Sequence, residues 1–308
     1  MPPTRRAFLA AGAAGLASRL FARTQGMSLH LSCGAIGVKA SQSEAIDYAA
    51  RFGFDSVDAD GRYLGGLEPA ALARILDHMH EQKVSWAIAG LPVEFRKDDQ
   101  AFADSIKNFP AFVAGLKRAG VVNVTTWISP TSNDRIYPDN LRTHVRRLSE
   151  CASMLHDSGM RLGLEYVGPK TSWSAQRYPF VHTMAEMKNL IAEIARPNVG
   201  FVLDSWHWYT SGESKKDLLT LRGDQVVSVD LNDAPAGIPA DQQVDSRREL
   251  PASTGVIDVA SFLGALKEIG YSGPVRVEPF NEAVRRMAPD QAIVAAKAAL
   301  DNAFARIA

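Results

Sequence analysis

The sequence predicts a (β/α)₈ barrel, an α/β fold in which eight parallel strands alternate with helices. Strand-like runs alternate with amphipathic stretches along most of the 308 residues. The strand candidates are short, rich in Val and Ile and often apolar at consecutive positions, as expected of parallel strands covered on both faces. Eight such units also fit the roughly 250 residues that are typical of this barrel.

The strand candidates follow one another at intervals that leave room for a helix after each. They cover residues 29–35, 54–59, 84–90, 121–128, 161–167, 199–205, 225–231 and 273–279. A doubly wound open sheet is the rival arrangement. No Gly-x-Gly-x-x-Gly follows the first strand, which weakens the dinucleotide-binding version of that rival.

The intervening stretches carry helix signals. Apolar residues recur at helical spacing over residues 141–155. Thr183 with Glu186 three positions later forms a capping-box pattern at the start of another helix. Asp258 can cap the start of a later helix and Gly270 can end it. The sequence therefore predicts one barrel domain over residues 27–308.

Residues 1–26 differ in composition from the rest. They contain Arg5, Arg6, Arg19 and Arg23 and no acidic residue, and an Ala/Gly-rich apolar stretch follows the first arginine pair. This pattern resembles a twin-arginine export signal, which carries folded proteins across a bacterial inner membrane. We expect a periplasmic or exported protein, with a cytoplasmic location as the alternative.

The remainder of the chain is mildly acidic. The whole sequence has 34 basic and 34 acidic residues, so removing four N-terminal arginines leaves 30 against 34, a net charge of −4. This balance disfavours a nucleic-acid partner. No later stretch is long and apolar enough for a transmembrane helix, so we expect no stable membrane association. A homo-oligomer is compatible with the sequence.

Acidic residues stand at the ends of the last four predicted strands. They are Glu165, Asp204, Asp230 and Glu278. The carboxyl ends of barrel strands converge on one rim, where four carboxylates would repel one another unless a cation neutralised them. Oxygen ligands favour Mg²⁺ or Mn²⁺ over zinc. The sequence therefore predicts one divalent cation, Mn²⁺ or Mg²⁺, held by these four residues.

Several segments resemble the xylose-isomerase-like sugar isomerase/epimerase barrels. The resemblance covers most of residues 28–282, is strongest after Leu162, and is carried by "GLEYVGPKT", "VGFVLDSWHWYTSGE", "VVSVDLNDAP" and "RELPASTGVIDVASFLGALKEIGYSGPVRVEPF". It implies one divalent metal bound by the four acidic residues. It also implies that Glu165 and Glu278 flank the substrate and move protons.

The chain departs from the family pattern at one ligand. The epimerase branch usually has a histidine where this sequence has Asp230, whereas xylose isomerases use carboxylates throughout. The departure leaves the identity and affinity of the metal open. Asn232 or Asp233 could also reach inward.

Other residues of the same segments are candidates for contact with a substrate. His207 matches the family's Asp-x-x-His and could bind a substrate oxygen or relay a proton. Arg248 lies in a segment that resembles the family's Arg-x-x-Pro-Gly loop and could reach a substrate oxygen. Trp127 and Trp206 could stack on a sugar, and Lys170 is a weaker candidate on the loop after the fifth strand.

These residues predict metal-dependent proton transfer next to a carbonyl in a small carbohydrate. Polarisation by a metal ion stabilises an enediolate, and return of the proton gives epimerisation or isomerisation. Loss of a β-leaving group from the same enediolate would make the protein a lyase or hydratase acting on a keto-sugar or keto-glycoside. A non-catalytic, exported sugar-binding protein is a further alternative. Apurinic-site endonucleases share the fold but need a histidine-rich zinc cluster that this sequence lacks.

Overall fold

The structure is a computed structural model that describes residues 26–308. The proposed export signal, residues 1–26, lies outside the described residues apart from Gly26. Within the described part, parallel strands alternate with helices and close into the predicted barrel. The barrel strands are β1 (Ser28–Leu31), β2 (Ser56–Val57), β3 (Ser85–Trp86), β4 (Ala89–Gly90), β5 (Asn123–Trp127), β7 (Arg161–Glu165), β9 (Val199–Asp204), β10 (Val226–Leu231) and β11 (Pro274–Val277).

The third predicted strand is split into two short strands. The sheet order is β3-β2-β1-β11-β10-β9-β7-β5-β4, so the two ends of the sheet, β3 and β4, are neighbouring pieces of one chain segment. Ala87 and Ile88 separate them. The sheet therefore closes on itself, and its nine strands correspond to eight positions around the barrel.

A small antiparallel hairpin that the sequence patterns did not predict lies outside the barrel sheet. It pairs β6 (Thr131–Ser132) with β8 (Tyr178–Pro179). Each strand has two residues, which is too short for an alternating pattern to be read from the sequence. The hairpin joins the loops that follow β5 and β7.

Helices follow the barrel strands. They are α1 (Gln42–Phe52), α2 (Gly61–Gly66), α3 (Pro69–Gln82), α4 (Asp99–Ile106), α5 (Phe109–Ala119), α6 (Tyr137–His156), α7 (Lys170–Trp173), α8 (Met184–Ile194), α9 (Ser205–Thr210), α10 (Lys215–Leu218), α11 (Val259–Glu268), α12 (Glu282–Arg285) and α13 (Pro289–Ala305). The capping box of Thr183 and Glu186 is present at the start of α8, and Asp258 caps α11. Among residues 26–308, none of the helices combines the length and apolarity that a membrane crossing requires.

The register of the parallel strands places the acidic residues at one level of the barrel. Asp230 pairs with Asp204 on one side and with Arg276 on the other. Glu165 ends β7, and Glu278 directly follows β11. In the order β11-β10-β9-β7, the two glutamates therefore belong to the outer strands and the two aspartates to the inner strands.

Small and apolar residues fill the barrel below this level. Side chains alternate between the faces of a strand, so Gly163 lies on the face of Glu165 and Val202 on that of Asp204. A Cβ atom on Gly163 would lie 2.9 Å from Cγ2 of Val202. The glycine therefore lets the valine fill the interior directly beneath the carboxylates.

Candidate active site

The four predicted carboxylates come together at the carboxyl ends of the strands. Each of Glu165, Asp204, Asp230 and Glu278 offers one oxygen, and these four oxygens lie within 4.8 Å of one another. The side chains of the two aspartates are fully buried, and those of the glutamates are largely buried. We call these four residues the carboxylate cluster.

Arg276 neutralises one side of the carboxylate cluster. Its Nε and Nη2 donate to the two carboxylate oxygens of Asp230, at 2.6 and 2.9 Å. Nη2 also donates to Oε1 of Glu278 at 2.9 Å. The sequence interpretation missed this arginine, although it lies two positions before Glu278 and therefore on the same face of the strand.

Arg248 neutralises the other side. Its Nη1 donates to Oδ2 of Asp204 at 2.7 Å and to Oε2 of Glu278 at 3.2 Å. Its Nη2 donates to Oδ1 of Asp245 at 2.8 Å. The ring of Phe280 lies 4.4 Å from the guanidinium carbon. The predicted substrate-binding arginine thus lies buried beside the acids, within reach of a substrate that contacts them.

Burial disfavours the ionised form of the residues in the carboxylate cluster. Burial, followed by repulsion from Glu278 and the two aspartates, raises the pKa of Glu165 well above its usual range. Burial also raises the pKa of Glu278 to about 7 and that of Asp204 to about 6, although the neighbouring arginines oppose both shifts. Two guanidinium groups therefore do not fully compensate four buried carboxylates.

The donor set fits a divalent cation. Oε1 of Glu165 is buried and has no hydrogen-bond partner among residues 26–308. The two arginines compensate only part of the charge of the four carboxylates, and Arg248 is also shared with Asp245, so an excess of negative charge remains that a divalent cation would reduce. Because all four donors are carboxylate oxygens, the set suits hard cations such as Mg²⁺ and Mn²⁺.

His207 lies beside the carboxylate cluster, with a donor facing each of its ring nitrogens. The backbone N–H of Gly168 lies 3.2 Å from Nδ1, and Nη2 of Arg248, which can only donate, lies 3.4 Å from Nε2. Nε2 lies 3.8 Å from Oε1 of Glu165 and 3.7 Å from Oδ2 of Asp204. Burial, reinforced by Arg248, lowers the pKa of His207 to about 3. The imidazole is therefore neutral, with one N–H donor and one acceptor nitrogen.

Further hydrogen bonds hold Asp204 in place. The backbone N–H of Trp206 and Nδ2 of Asn232 both donate to Oδ1 of Asp204 at 2.8 Å. Of the two residues considered after Asp230, only Asn232 reaches the carboxylate cluster. Asp233 instead accepts backbone N–H bonds from Ala234, Thr254, Gly255 and Ile257, and so fixes the loop before α11.

A cavity of about 340 Å³ opens beside these groups. We call it the site cavity. Glu165, His207, Arg248 and Glu278 line it together with Trp127, Ser129 and Phe280. Its volume lies within the range of about 300–1,000 Å³ that is usual for small-molecule sites.

Comparison with known proteins agrees with this architecture. The model of the xylose isomerase-like TIM barrel family matches residues 46–303. The chain belongs to the xylose isomerase-like TIM barrel family.

The curated relatives of this chain include enzymes of three kinds. The inosose isomerase of Bacillus subtilis strain 168 is 27% identical over 202 residues, which span 65% of this chain and 69% of the isomerase. The 3-dehydroshikimate dehydratase of Pseudomonas aeruginosa is 31% identical over 150 residues, 48% of this chain and 22% of the dehydratase. The L-ribulose 3-epimerase of Methylomonas sp. strain DH-1 is 26% identical over 174 residues, 56% of this chain and 52% of the epimerase.

Solved structures share the barrel. A xylose isomerase domain protein from Alicyclobacillus acidocaldarius has a TM-score of 0.80 and 29% identity, with 91% of this chain and 99% of that chain covered. The IOLI protein, solved with a binding zinc atom, has a TM-score of 0.77 and 22% identity, with 92% and 99% covered. At 22% identity, the similarity to the IOLI protein shows a shared fold alone.

The remaining residues that were predicted to bind substrate occupy three different environments. Trp127 ends β5 at the rim, is 47% exposed and lines the site cavity. Trp206 is fully buried, with the guanidinium of Arg248 5.5 Å from its ring centre. It belongs to the core, which argues against the predicted stacking on a sugar. Lys170 is exposed, and its Nζ lies 3.5 Å from Oδ2 of Asp241. Its side chain is therefore directed to that residue and not to the carboxylate cluster.

Proposed function

We propose that this protein is a divalent-metal-dependent isomerase or epimerase of a sugar or sugar derivative. It would act by removing a proton from a carbon next to a carbonyl and returning it, through an enediolate of the substrate. The observation that carries the proposal is the convergence of two glutamates and two aspartates in one cluster, whose glutamates line a small-molecule cavity. The inosose isomerase and L-ribulose 3-epimerase relatives support the reaction class.

The carboxylate cluster would hold the metal. The unpartnered Oε1 of Glu165 and the excess negative charge of the cluster support this assignment. When bound, the ion would polarise the substrate carbonyl and stabilise the negative charge that develops on deprotonation. The zinc atom in the IOLI protein supports a metal site in this fold, and the oxygen donors of this chain favour Mn²⁺ or Mg²⁺.

Glu165 and Glu278 would carry the protons. They belong to the outer strands of the four-strand arc and approach the site cavity from opposite sides of the two aspartates. Burial raises the pKa of Glu278 to about 7 and raises that of Glu165 well above its usual range. These shifts hold for the metal-free cluster, and a bound cation would lower both pKa values toward the range in which a carboxylate can accept and return a proton. One glutamate would serve as base and the other as acid.

His207 and Arg248 would orient the substrate. The neutral imidazole of His207 lines the site cavity and would form a hydrogen bond with a substrate hydroxyl. Arg248 lines the same cavity and can add a charged donor beside Glu278. Neither group needs to change protonation state for this role.

A lyase reaction is the second candidate. The 3-dehydroshikimate dehydratase relative supports it, since its 31% identity over 150 residues is the highest among the curated relatives described above. Elimination begins with the same deprotonation by a glutamate. The difference is that a β-leaving group departs, with a proton from a neighbouring acid, before the carbanion is reprotonated.

Exchange of carbon-bound hydrogen with D₂O tests the proposal. The protein is stripped with a chelator and then supplied with Mn²⁺, Mg²⁺ or Zn²⁺, and a panel of keto-sugars that includes an inosose and L-ribulose is followed by NMR. We expect metal-dependent exchange, with epimer or isomer formation for an isomerase and with an unsaturated product for a lyase. Absence of exchange at every metal, together with tight sugar binding, would instead support the non-catalytic sugar-binding alternative.

A further inference from the structure

A second cavity adjoins the site cavity at the rim of the barrel. It has a volume of about 560 Å³ and shares Trp127 and Ser129 with the site cavity. The segment after β4, the loop around β6 and the first turns of α6 form its walls. We call it the rim cavity. Because the two cavities share these two lining residues, a ligand that contacts Trp127 in the rim cavity would lie next to the space for a reacting sugar.

A buried histidine in the wall of the rim cavity has an unused acceptor. His144 is 2% exposed and is packed against Phe95 and Phe180, with ring centres 5.6 and 4.8 Å away. Its Nδ1 donates to the backbone carbonyl of Asn140 at 2.9 Å. Burial, with help from Arg96, Arg147 and Arg135, lowers the pKa of His144 to about 4, so the ring is neutral at pH 7.

The tautomer of His144 fixes what its other nitrogen can bind. Because Nδ1 carries the proton, Nε2 presents a lone pair. Nε2 is buried and has no partner among residues 26–308. A buried acceptor without a hydrogen-bond donor is unfavourable, so a donor from a ligand hydroxyl would be favoured at this position.

Trp127 provides a fixed aromatic surface between the two cavities. The guanidinium carbon of Arg96 lies 4.2 Å from the ring centre, and Nε of Arg96 donates to the backbone carbonyl of Trp127 at 2.9 Å. The indole is still 47% exposed. An exposed, braced indole offers an apolar face to the C–H groups of a sugar ring.

The charges of the rim cavity argue for an uncharged ligand. Arg96, Lys97 and Arg135 line it together with Asp98 and Asp134, so neither sign dominates strongly. Arg135 forms no ion pair with any residue in the described range and can donate to a ligand oxygen. An anion would meet the two aspartates and the lone pair of His144, whereas a hydroxyl can both donate and accept.

We propose that the rim cavity is a subsite for an uncharged sugar ring joined to the reacting keto-sugar, so that the substrate is a glycoside or disaccharide and not a monosaccharide. The inference rests on the proposed function for the reacting half. It assigns the non-reacting ring to Trp127, His144 and Arg135. Contacts with that ring would position the keto-sugar over the carboxylate cluster.

Binding of unreactive sugars tests the subsite without turnover. The metal-supplied protein is titrated calorimetrically with D-glucose, with maltose, cellobiose, lactose and trehalose, and with glucose 6-phosphate as an anionic probe. We expect one or more disaccharides to bind at least about tenfold more tightly than D-glucose. Trp127→Ala and His144→Phe should abolish this preference, and His144→Gln, which keeps an acceptor, should retain part of it.

Tyr63→Ala is the matched control, because Tyr63 is 45% exposed and lies away from both cavities. It should keep the preference. Equal binding of D-glucose and every disaccharide, or a preference that survives Trp127→Ala, would overturn the subsite. Tighter binding of glucose 6-phosphate than of the disaccharides would overturn its uncharged character. Disaccharide binding without any D₂O exchange would instead leave the subsite standing and count against the proposed reaction.

Discussion

Arg276 holds Asp230 through two parallel hydrogen bonds, Nε to Oδ1 at 2.6 Å and Nη2 to Oδ2 at 2.9 Å. The two residues lie opposite each other on neighbouring strands. The family's epimerase branch usually has a neutral histidine at the position of Asp230, as the sequence resemblance implies. In this chain the negative charge of Asp230 is accompanied by the buried positive charge of Arg276. The net charge that a cation would meet at this edge of the cluster is therefore similar to that beside a neutral histidine.

Removal of the Arg276 side chain should make the stability of the folded protein depend on a bound divalent cation. Arg276→Gln leaves Asp230 and Glu278 without their guanidinium partner, and loss of one member of a buried pair costs about 3–5 kcal/mol. A divalent cation should restore much of this loss, because it binds the freed carboxylates in the folded state. Thermal unfolding with a chelator and with saturating Mn²⁺ measures the effect. Arg276→Lys is the control, and equal losses in both conditions would contradict the expectation.

Glu165→Gln and Glu278→Gln should separate proton transfer from binding. Each variant keeps an oxygen donor but loses the base, so kcat should fall by about 10²–10⁴ with a smaller change in substrate affinity. Each should lose exchange into D₂O from one face of the substrate. Glu282→Gln, on an exposed side chain, is the control. Exchange at the wild-type rate in both variants would exclude the two-glutamate mechanism.

His207→Gln should weaken catalysis without changing the shape of the pH profile. Burial lowers the pKa of His207 to about 3, so the imidazole stays neutral over the working range and would bind the substrate without titrating. We expect kcat/KM to fall about tenfold, the loss of one hydrogen bond. The measurement is kcat/KM from pH 5 to 9 in both proteins. Disappearance of a limb of the profile in the variant would show that His207 titrates in the reaction.

Glu213 should make the fold less stable as the pH rises. Its carboxylate accepts bonds from the backbone N–H of Met184 and the hydroxyl of Tyr166. Burial, with a smaller contribution from Asp217, raises its pKa to about 7, although those two bonds and Lys188 oppose the shift.

Between pH 4.5 and 7 the folded state therefore binds a proton that the unfolded state does not. The free energy of unfolding should fall across this range by roughly 1–3 kcal/mol from this group. Glu213→Gln should remove that part of the decline. Urea unfolding of both proteins at pH 5, 6, 7 and 8 gives the difference. Parallel curves for wild type and variant would rule the effect out.

Export through the twin-arginine route remains a prediction from the sequence. Arg5→Lys with Arg6→Lys should retain the protein in the cytoplasm, because that route requires the arginine pair ahead of the apolar stretch. Arg19→Lys conserves charge in the same segment and should leave export unchanged. Cell fractionation followed by immunoblotting measures both. Equal periplasmic amounts of wild type and the paired variant would refute the assignment.

Sequence patterns were sufficient to predict the barrel, the helix starts at Thr183 and Asp258, and the four acidic residues at the strand ends. These features follow from local patterns, because alternation and apolar runs fix which face a residue takes on its own strand. The split of the third strand and the β6–β8 hairpin escaped this reasoning, since two-residue strands carry no readable period.

The contacts between these groups depend on the three-dimensional arrangement of the strands. Closure of the sheet sets Arg276 opposite Asp230 and brings Arg248 from a distant loop onto Asp204. It also buries Trp206 in the core while Trp127 stays at the rim between two cavities. A local sequence pattern indicates which way a side chain points from its own strand. The residues that it contacts depend on the register and closure of strands that are far apart in the chain.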